Sequence, residues 1–301
     1  MSTSVALLGV GKMGAAFVDR WRDAGREVVL WNRTMASAQA LAGEGVTVVA
    51  SPEEAAARGD VVVTMLTNGD ALRSVVIDGG VLDAMAPSST LIDLSTIDAP
   101  TSTLIAIASN TREINYVRGG VSGTPAVVRA GNAGLLLSAP ATALAAAQSV
   151  LDEITTNQTV VGEGEEARIV KIAVNSMLAG TMQLLAEATA LAEANGVDRS
   201  VFLDALDSTV VSSRFVAYKG AALRARDYRA TFTTADLKKD MDLAISTAEA
   251  AGVRVVLGHA VLAQLLTAIE AGYGAQDFLS LFLVEQAESG QRVDAQDANL
   301  P

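Results

Sequence analysis

Short apolar runs alternate with longer stretches of helical periodicity throughout the first half of the chain. These runs are rich in β-branched residues and too short for buried helices, so they predict strands. The predicted strands lie at 4–9, 27–31, 46–50, 60–66, 90–95, 114–117, 134–138 and 159–162. Because helices separate successive strands, the pattern predicts an α/β fold with a doubly wound, mainly parallel sheet.

Helical periodicity dominates the second half. Residues 165–194 contain no proline and a single glycine, and their apolar residues recur three or four positions apart, which predicts one long helix. Further helices are predicted at 199–207, 213–225, 234–251, 257–272 and 276–287, with no convincing strand among them. We therefore expect an all-α domain at 163–287, opened by a long interdomain helix. The polar, aperiodic tail at 288–301 is expected to be flexible.

The charge balance narrows the possible partners. The chain has 22 Lys and Arg residues against 34 Asp and Glu residues, a formal net charge of −12. Such a chain repels phosphate backbones and anionic headgroups, so neither nucleic-acid nor membrane binding is expected. A charge-free stretch at 130–151 is interrupted by glycines and a proline, and it predicts a strand and a helix rather than a membrane span.

The sequence has no cysteine and one histidine, His259. Disulfides, thiolate nucleophiles, and cysteine or multi-histidine metal sites are thereby excluded, and no metal is expected. The N-terminal residues run into the first predicted strand without a basic segment, an apolar core or a cleavage site. A cytoplasmic location is the expectation.

A glycine-rich turn follows the first predicted strand. Gly9, Gly11 and Gly14 have the spacing GxGxxG, and the next residues predict a helix. In this context the glycines allow a tight turn, approach of a pyrophosphate to the backbone, and close packing of helix on strand. The sequence therefore predicts a Rossmann domain at 1–162, with these residues binding the cofactor: Gly9, Val10, Gly11, Lys12, Met13 and Gly14.

The end of the second predicted strand bears on the choice of cofactor. Asn32 stands where an NAD-selective site carries an acid for the ribose 2′-hydroxyl. Arg33 offers a cationic fork to a 2′-phosphate, and Asn32 and Thr34 add neutral donors, so NADP(H) is the predicted cofactor. The alternative is that Arg33 is an ordinary solvated loop residue and that selectivity is loose.

Lys171 and Asn175 interrupt the apolar pattern of the long helix. They are four residues apart and therefore project from one face. A lysine on a packed face costs free energy unless it meets a partner or a wet cleft, which makes Lys171 a functional candidate. The alternative is a lysine whose stem covers apolar surface while its ammonium group reaches water.

Five motifs occur together in one order along the chain. They are VALLGVGKMGAAF at 5–17, DLST at 93–96, GGVSGT at 119–124, GEGEEARIVKIAVNS at 162–176 and LKKDMDLA at 237–244. In this combination the chain resembles the β-hydroxyacid dehydrogenase family, which includes 3-hydroxyisobutyrate dehydrogenases and glyoxylate or succinic semialdehyde reductases. Its first domain is also similar to that of 6-phosphogluconate dehydrogenase.

The resemblance implies a role for each matching residue. Lys171 would be the general acid and base of an NADPH-dependent oxidoreductase that reduces a small aldehyde or keto acid, or oxidises a 3-hydroxy acid. Further residues would bind the substrate: Ser122, Gly123, Thr124, Asn175 and Asp240. Others would bind the cofactor: Leu66, Thr67, Thr96, Phe232 and Lys239. The resemblance also implies a homodimer or tetramer.

Several of these residues also have a purely structural explanation. Thr96 could only cap a helix, Ser122 and Gly123 could be only a turn, and Lys239 and Asp240 could be a solvated helix face. The family pattern is altered where Arg118 precedes Gly119 and Gly120, and at Val127 and Val174. Two rival functions follow: an imine reductase on the same scaffold, or a catalytically silent NADPH-binding protein.

Overall fold

The computed structural model describes residues 4–290. These residues divide into two compact units between Lys171 and Ile172. The boundary predicted from the sequence, between 162 and 163, falls earlier in the chain. Residues 291–301, most of the predicted flexible tail, lie outside the described residues, whereas the last described helix ends at Glu288.

The first unit is built on one eight-stranded sheet in the order β3-β2-β1-β4-β5-β6-β7-β8. All neighbouring strands are parallel except β6 and β7, so the predicted doubly wound, mainly parallel sheet is confirmed. The strands are β1 Val5–Leu8, β2 Val28–Trp31, β3 Val46–Val48, β4 Val61–Thr64, β5 Thr90–Asp93, β6 Asn115–Ser122, β7 Gly134–Ser138 and β8 Gln158–Gly162.

Helices cover both faces of this sheet, and a buried apolar cluster lies on each side. Strands β1 and β4 are buried along their whole length, as parallel strands between two helical layers must be. The helices are α1 Lys12–Asp23, α2 Met35–Gln39, α3 Pro52–Ala56, α4 Gly69–Arg73, α5 Val81–Ala84, α6 Ala99–Thr111, α7 Pro125–Arg129 and α8 Ala141–Ile154; a π-helical turn, Ser74–Asp78, follows α4.

Strand β6 is longer than its apolar pattern predicts. The prediction ended at 117, but the strand continues through Gly119 and Gly120 to Ser122. Glycine is rare inside strands unless another group approaches closely. A Cβ at Gly119 would lie 2.6 Å from Leu94 Cδ2, and one at Gly120 would lie 2.9 Å from Lys171 Cγ.

The strand order reverses direction at β1 and β4, since the chain proceeds outward through β2 and β3 on one side and through β5 on the other. In open α/β sheets, ligands bind beyond the carboxyl ends of the strands at such a reversal. The segments that begin at Gly9, after β1, and at Met65, after β4, lie at this position.

The second unit is helical, and its buried apolar residues form a single cluster. Within residues 172–290, the isolated bridge between Thr233 and Asp277 is the one strand-like pairing. Its helices are the remainder of α9 Glu166–Ala194, then α10 Arg199–Asp207, α11 Arg214–Ala225, α12 Thr234–Ala250, α13 Val256–Ala268 and α14 Leu281–Glu288; a π-helical segment, Ile269–Tyr273, and a 3₁₀ turn, Phe278–Ser280, precede α14.

Two helical stretches of the described chain, Glu166–Ala194 and Val256–Tyr273, are long and apolar enough to cross a membrane. Length and composition alone are weak evidence for a membrane span, because core helices of globular domains pass the same test. In Glu166–Ala194, 44% of the most apolar window is buried within the protein.

Candidate functional site

Each glycine of the GxGxxG turn meets a different steric demand. Gly9 has φ +109°, and a Cβ there would lie 2.3 Å from the carbonyl oxygen of Met65. A Cβ at Gly14 would lie 2.3 Å from the carbonyl oxygen of Gly9, so this glycine lets α1 pack on the turn. A Cβ at Gly11 would have nothing within 4 Å. Gly11 therefore marks open space beside the backbone, where a ligand can approach.

Helix α1 begins directly after Gly11, and no side chain caps its N-terminus. The first backbone N–H groups of the helix are thus left to an anion, which the helix dipole also favours. Lys12 is exposed at the first helical position, and Met13 packs against the sheet core. Open space at Gly11 and uncapped N–H groups fit a dinucleotide pyrophosphate.

Asn32 joins this turn to the end of β2. Its Oδ1 accepts a hydrogen bond from Val10 N at 2.9 Å, and its Nδ2 donates to Thr34 O at 2.9 Å. A carboxylate could accept the first hydrogen bond but could not donate the second. The structure therefore explains why this position carries asparagine and not aspartate. Arg33 is exposed, and its side chain forms no hydrogen bond or ion pair with any residue from 4 to 290.

A buried carboxylate organises the ends of β4 and β5. Asp93, fully buried, accepts hydrogen bonds from Thr64 Oγ1 at 2.7 Å and from Ser95 Oγ at 2.6 Å. Ser95 Oγ in turn accepts from Leu66 N at 2.8 Å. The predicted cofactor residues Leu66 and Thr67 therefore follow the end of β4, which hydrogen bonds fix to the end of β5.

Thr96 is half-buried in the segment between β5 and α6. It does not cap the helix, because the N-cap is Asp98, whose side chain accepts from Thr101 N at 2.7 Å. The capping explanation for Thr96 is therefore wrong, and its predicted role beside the cofactor stays a prediction.

Arg168, in the first turn of α9, is the charged partner of Asp93. Its side chain is 2% exposed, and Nη2 donates to Asp93 Oδ2 at 2.5 Å. Burial alone would lower the pKa of Arg168, but the nearby carboxylate of Asp93 and the hydroxyl of Tyr116 outweigh burial and raise it. Burial also raises the pKa of Tyr116 to about 12, so this hydroxyl stays neutral. Sequence reasoning missed Arg168, although an arginine in an apolar helix and an aspartate in an apolar strand do signal a buried pair.

Lys171 lies one turn further along α9 and is half-buried. Its stem packs against Gly120, where a Cβ would come within 3.2 Å of three of its carbon atoms. The glycine pair that departs from the family pattern thus makes room for the candidate proton donor. Arg118, just before the pair, is held by Glu165, whose Oε1 accepts from its Nε at 2.8 Å.

The predicted carboxylate turn follows β6 directly. Ser122 ends the strand with its side chain exposed, Gly123 has φ +144°, and Thr124 caps α7 by accepting from Val127 N at 3.4 Å. Ser122 Oγ forms no hydrogen bond with the residues that the structure describes. The turn leaves a hydroxyl and backbone N–H groups at the edge of the unit, a donor set suited to a carboxylate.

In the second unit, Asn175 and Asp240 form a buried polar pair. They are 3% and 2% exposed, and Asn175 Nδ2 donates to Asp240 Oδ2 at 2.5 Å. Lys239 Nζ lies 2.8 Å from Asp240 Oδ1. The reading of Asp240 as part of a solvated helix face is therefore wrong. Phe232 is half-buried and meets Phe278 edge to face, with ring centroids 6.0 Å apart.

His259 is more than half exposed and lies 3.7 Å from Glu249. Among residues 4–290, no three metal-ligating side chains of the Asp, Glu, His or Cys type are grouped so that they could hold an ion.

The glycine turn at the reversal of a parallel sheet defines a Rossmann dinucleotide-binding protein. Residues 4–162 match the model described as the NAD binding domain of 6-phosphogluconate dehydrogenase. Residues 165–284 match the model described as NAD-binding of NADP-dependent 3-hydroxyisobutyrate dehydrogenase. The chain therefore belongs to the β-hydroxyacid dehydrogenase family of NAD(P)-dependent oxidoreductases, which confirms the predicted family, fold and enzyme class.

Full-length relatives agree with this assignment. Glyoxylate/succinic semialdehyde reductase 1 of Arabidopsis thaliana is 28% identical over 91% of this chain and 95% of its own length. The 3-hydroxyisobutyrate dehydrogenase of Pseudomonas aeruginosa is 28% identical over 93% and 97%. The crystal structure of 3-hydroxyisobutyrate dehydrogenase from Salmonella typhimurium is similar with a TM-score of 0.86 and 25% identity, covering 94% of this chain and all of the other.

An imine reductase from a Pseudomonas species shares the fold more distantly. Its structure is similar with a TM-score of 0.63 and 23% identity, over 94% of this chain and 99% of its own. At that identity the likeness describes the scaffold alone.

Proposed function

We propose that this protein is an NADPH-dependent reductase of a small aldehyde or keto acid, with 3-hydroxyacid oxidation as the reverse reaction. The observation that carries the proposal is the placement of Lys171, whose stem packs on Gly120 two residues before the Ser122–Gly123 turn. The names of the glyoxylate reductase and 3-hydroxyisobutyrate dehydrogenase relatives support this substrate class.

In this mechanism the chain contributes orientation and a proton. When bound, the dinucleotide supplies the hydride that reaches the carbonyl carbon. The Lys171 ammonium group stabilises the developing alkoxide, gives its proton to that oxygen, and takes another from solvent. Ser122 Oγ and backbone N–H groups of its turn would hold a substrate carboxylate. Contributions of Asn175 and Asp240 to substrate placement stay predictions.

The first test is NADPH oxidation with a panel of short aldehydes, keto acids and cyclic imines. Lys171→Ala should lower kcat on carbonyl substrates by about 100- to 10,000-fold, the usual worth of a general acid. Lys238→Ala is the matched control, because Lys238 pairs with Asp242 on the surface of α12. Full carbonyl activity in Lys171→Ala would overturn the mechanism.

The same panel separates the rival functions. Turnover of cyclic imines alone would identify an imine reductase. NADPH binding without turnover of any substrate would identify a silent binding protein.

The preference for NADPH rests on Arg33 and Asn32. The guanidinium group of Arg33 is exposed and pairs with no other residue between 4 and 290, and it stands beside an asparagine rather than an acid, which suits a 2′-phosphate. Arg33→Ala should weaken NADPH binding by about 1 to 3 kcal/mol and leave NADH binding nearly unchanged. Titration of cofactor fluorescence measures both, and parallel losses would contradict the proposed preference.

A homodimer, or a tetramer of such dimers, is part of the proposal. Met177, Leu184 and Leu191 are exposed large apolar side chains at heptad spacing along α9. Such a stripe suits a second helix, and a second copy of the chain supplies one. Leu184→Lys should lower the mass measured by light scattering, whereas Val210→Lys, at an exposed valine outside this stripe, should not. An unchanged mass in Leu184→Lys would contradict pairing through this stripe.

The cytoplasm is the proposed location, and the net charge of −12, which disfavours contact with anionic membrane surfaces, supports a location away from membranes. Fractionation of cells that express the tagged chain tests this, and recovery with membranes would contradict it.

A further inference from the structure

The Arg168 guanidinium group has an acceptor for every N–H it carries. Its Nη1 donates to the carbonyl oxygens of Ser95, at 2.6 Å, and Gly119, at 2.9 Å. Its Nη2 donates to Asp93 and to Tyr116 Oη, and its Nε lies 3.4 Å from Ser102 Oγ. A guanidinium group has five N–H donors, so the buried group is fully satisfied.

These acceptors come from three different segments of the first unit. Asp93 and Ser95 belong to the end of β5 and the turn after it, Gly119 to β6, and Ser102 to α6. Arg168 itself belongs to α9, so one planar group fixes the first turn of this helix against all three. The planar fork fixes direction as well as distance, which a single-point contact does not.

A weaker anchor also holds the start of α9. Ala167 N donates to Ser138 Oγ at 2.9 Å. One bond of this kind holds a single point of the backbone. The fork of Arg168 also fixes the direction of the first turn, and it acts on Gly119, the neighbour of the glycine on which Lys171 packs.

We propose that Arg168 is a positioning residue for Lys171. By fixing α9 to Ser95 and Gly119, it sets where the ammonium group of Lys171 stands relative to the strand end at β5 and the turn after β6. Arg168 touches neither substrate nor cofactor in this role. The inference rests on the proposed function, since it concerns the reach of the assigned proton donor.

The protonation states suit a permanent anchor. The pKa of Arg168 is raised and that of Tyr116 is about 12, so neither group changes charge over the ordinary working range of pH. Any pH dependence of turnover therefore comes from other groups while the anchor stays intact.

The deciding variant is Arg168→Lys, which keeps the charge but cannot reach all five acceptors. It should lower kcat on the order of 100-fold, as expected for a misplacement of about 1 Å, with a much smaller change in KM. The pH profile of kcat should move, because the ammonium group of Lys171 changes its surroundings. Hydrogen exchange of the amides at 167–172 should become faster, which is a readout independent of activity.

Arg199→Lys is the matched control in the second unit. Arg199 is also buried, pairs with Glu193 at 2.8 Å and donates to a backbone carbonyl, that of Leu223. This control should lose a similar amount of thermal stability with kcat and its pH profile unchanged. Equal losses of kcat in the two variants would mean that general destabilisation is responsible, and would overturn the proposal.

Tyr116→Phe covers the case in which Arg168→Lys does not fold, because it removes one acceptor and leaves four. It should give the same changes in kcat and exchange at smaller amplitude. Unchanged kcat and unchanged exchange would overturn the positioning role. The result for Lys171→Ala keeps the two proposals distinct: full activity there refutes the proton donor, whereas an inactive Lys171→Ala with a fully active Arg168→Lys refutes positioning alone.

Discussion

Among residues 4–290, each unit contains one cation that is almost completely buried and paired with a buried aspartate. In the first unit Arg168 pairs with Asp93, and in the second Lys219 pairs with Asp277, both at 2.5 Å. The two pairs differ in what else the cation meets. Arg168 has an acceptor for each N–H, whereas Lys219 lies 4.0 Å from the ring centroid of Phe278 and 5.2 Å from that of Tyr218.

Their surroundings shift the pKa values of the two cations in opposite directions. Burial lowers the pKa of Lys219, and Asp277 only partly offsets this, whereas charged and polar neighbours raise the pKa of Arg168. A cavity of about 270 Å³ also adjoins Lys219, with Asp227, Arg229 and Thr231 among its lining residues. The guanidinium group is therefore the more permanent charge of the two, while burial makes the ammonium group of Lys219 easier to deprotonate.

The largest expected difference is in stability after the cation is removed. Arg168→Met leaves Asp93 Oδ2 without its donor and also strips the carbonyl oxygens of Ser95 and Gly119, so it should cost about 3 to 5 kcal/mol. Lys219→Met should cost about 1 to 3 kcal/mol. The loss is smaller because both oxygens of Asp277 keep donors, from Leu279 N and from Thr231 N and Oγ1.

Urea unfolding of both variants measures this difference as a change in midpoint at constant slope. A Lys219→Met variant that is less stable than Arg168→Met would contradict the ranking of the two pairs. It would mean that hydrogen bonds to Asp277 do not compensate for the missing ammonium group.

Alkaline pH should affect the stability contributions of the two buried pairs differently. Near Arg168, the free energy of unfolding should fall by about 2 to 3 kcal/mol, because Tyr116 loses its proton. Tyr116, which faces Arg168 and Asp93 and lies under Arg118, has a folded pKa of about 12 against an ordinary value of 10.0. The folded state keeps this proton when the unfolded state has lost it. The stability that the raised pKa of Tyr116 contributes is therefore fully present below about pH 10, and it is lost as pH rises towards 12. Tyr116→Phe should lack this loss.

Lys219 should show the opposite sign. Its folded pKa lies below the ordinary value of 10.5, so between the two the unfolded state binds more protons and this group's contribution to stability rises with pH. The measurement is thermal unfolding from pH 8 to 12 of the wild type, Tyr116→Phe and Lys219→Met. A stability gap between wild type and Tyr116→Phe that stays constant with pH would contradict the first sign, and a gap to Lys219→Met that narrows would contradict the second.

The two regions also show what sequence patterns can predict. Periodicity predicted the strands and helices closely, and the glycine turn was recognisable because Gly9, Gly11 and Gly14 act within one local element. The extension of β6 through Gly119 and Gly120 was missed, since the atoms that require glycine belong to Leu94, Leu137 and Lys171.

Arg168 was missed for the same physical reason. Its acceptors at Asp93, Ser95 and Gly119 are separated from it by 75, 73 and 49 positions, so the local pattern can mark Arg168 and Asp93 as buried charges but cannot show that they meet. The contact of Asn32 with Val10, 22 positions away, likewise gave that asparagine a structural bond that its place at the end of β2 did not suggest.

The smallest expected change in the free energy of unfolding comes from an exposed ion pair. Lys238 and Asp242 are four residues apart on α12 with side chains 33% and 45% exposed, and such pairs contribute about 0.3 to 0.5 kcal/mol. Lys238→Gln should change the free energy of unfolding by no more than this, and added salt should erase the change. The neighbouring Lys239→Gln should cost more, because Lys239 meets the buried carboxylate of Asp240, which Asn175 also contacts. Equal and salt-sensitive losses at both lysines would show that burial of the carboxylate does not govern the strength of ion pairs in this unit.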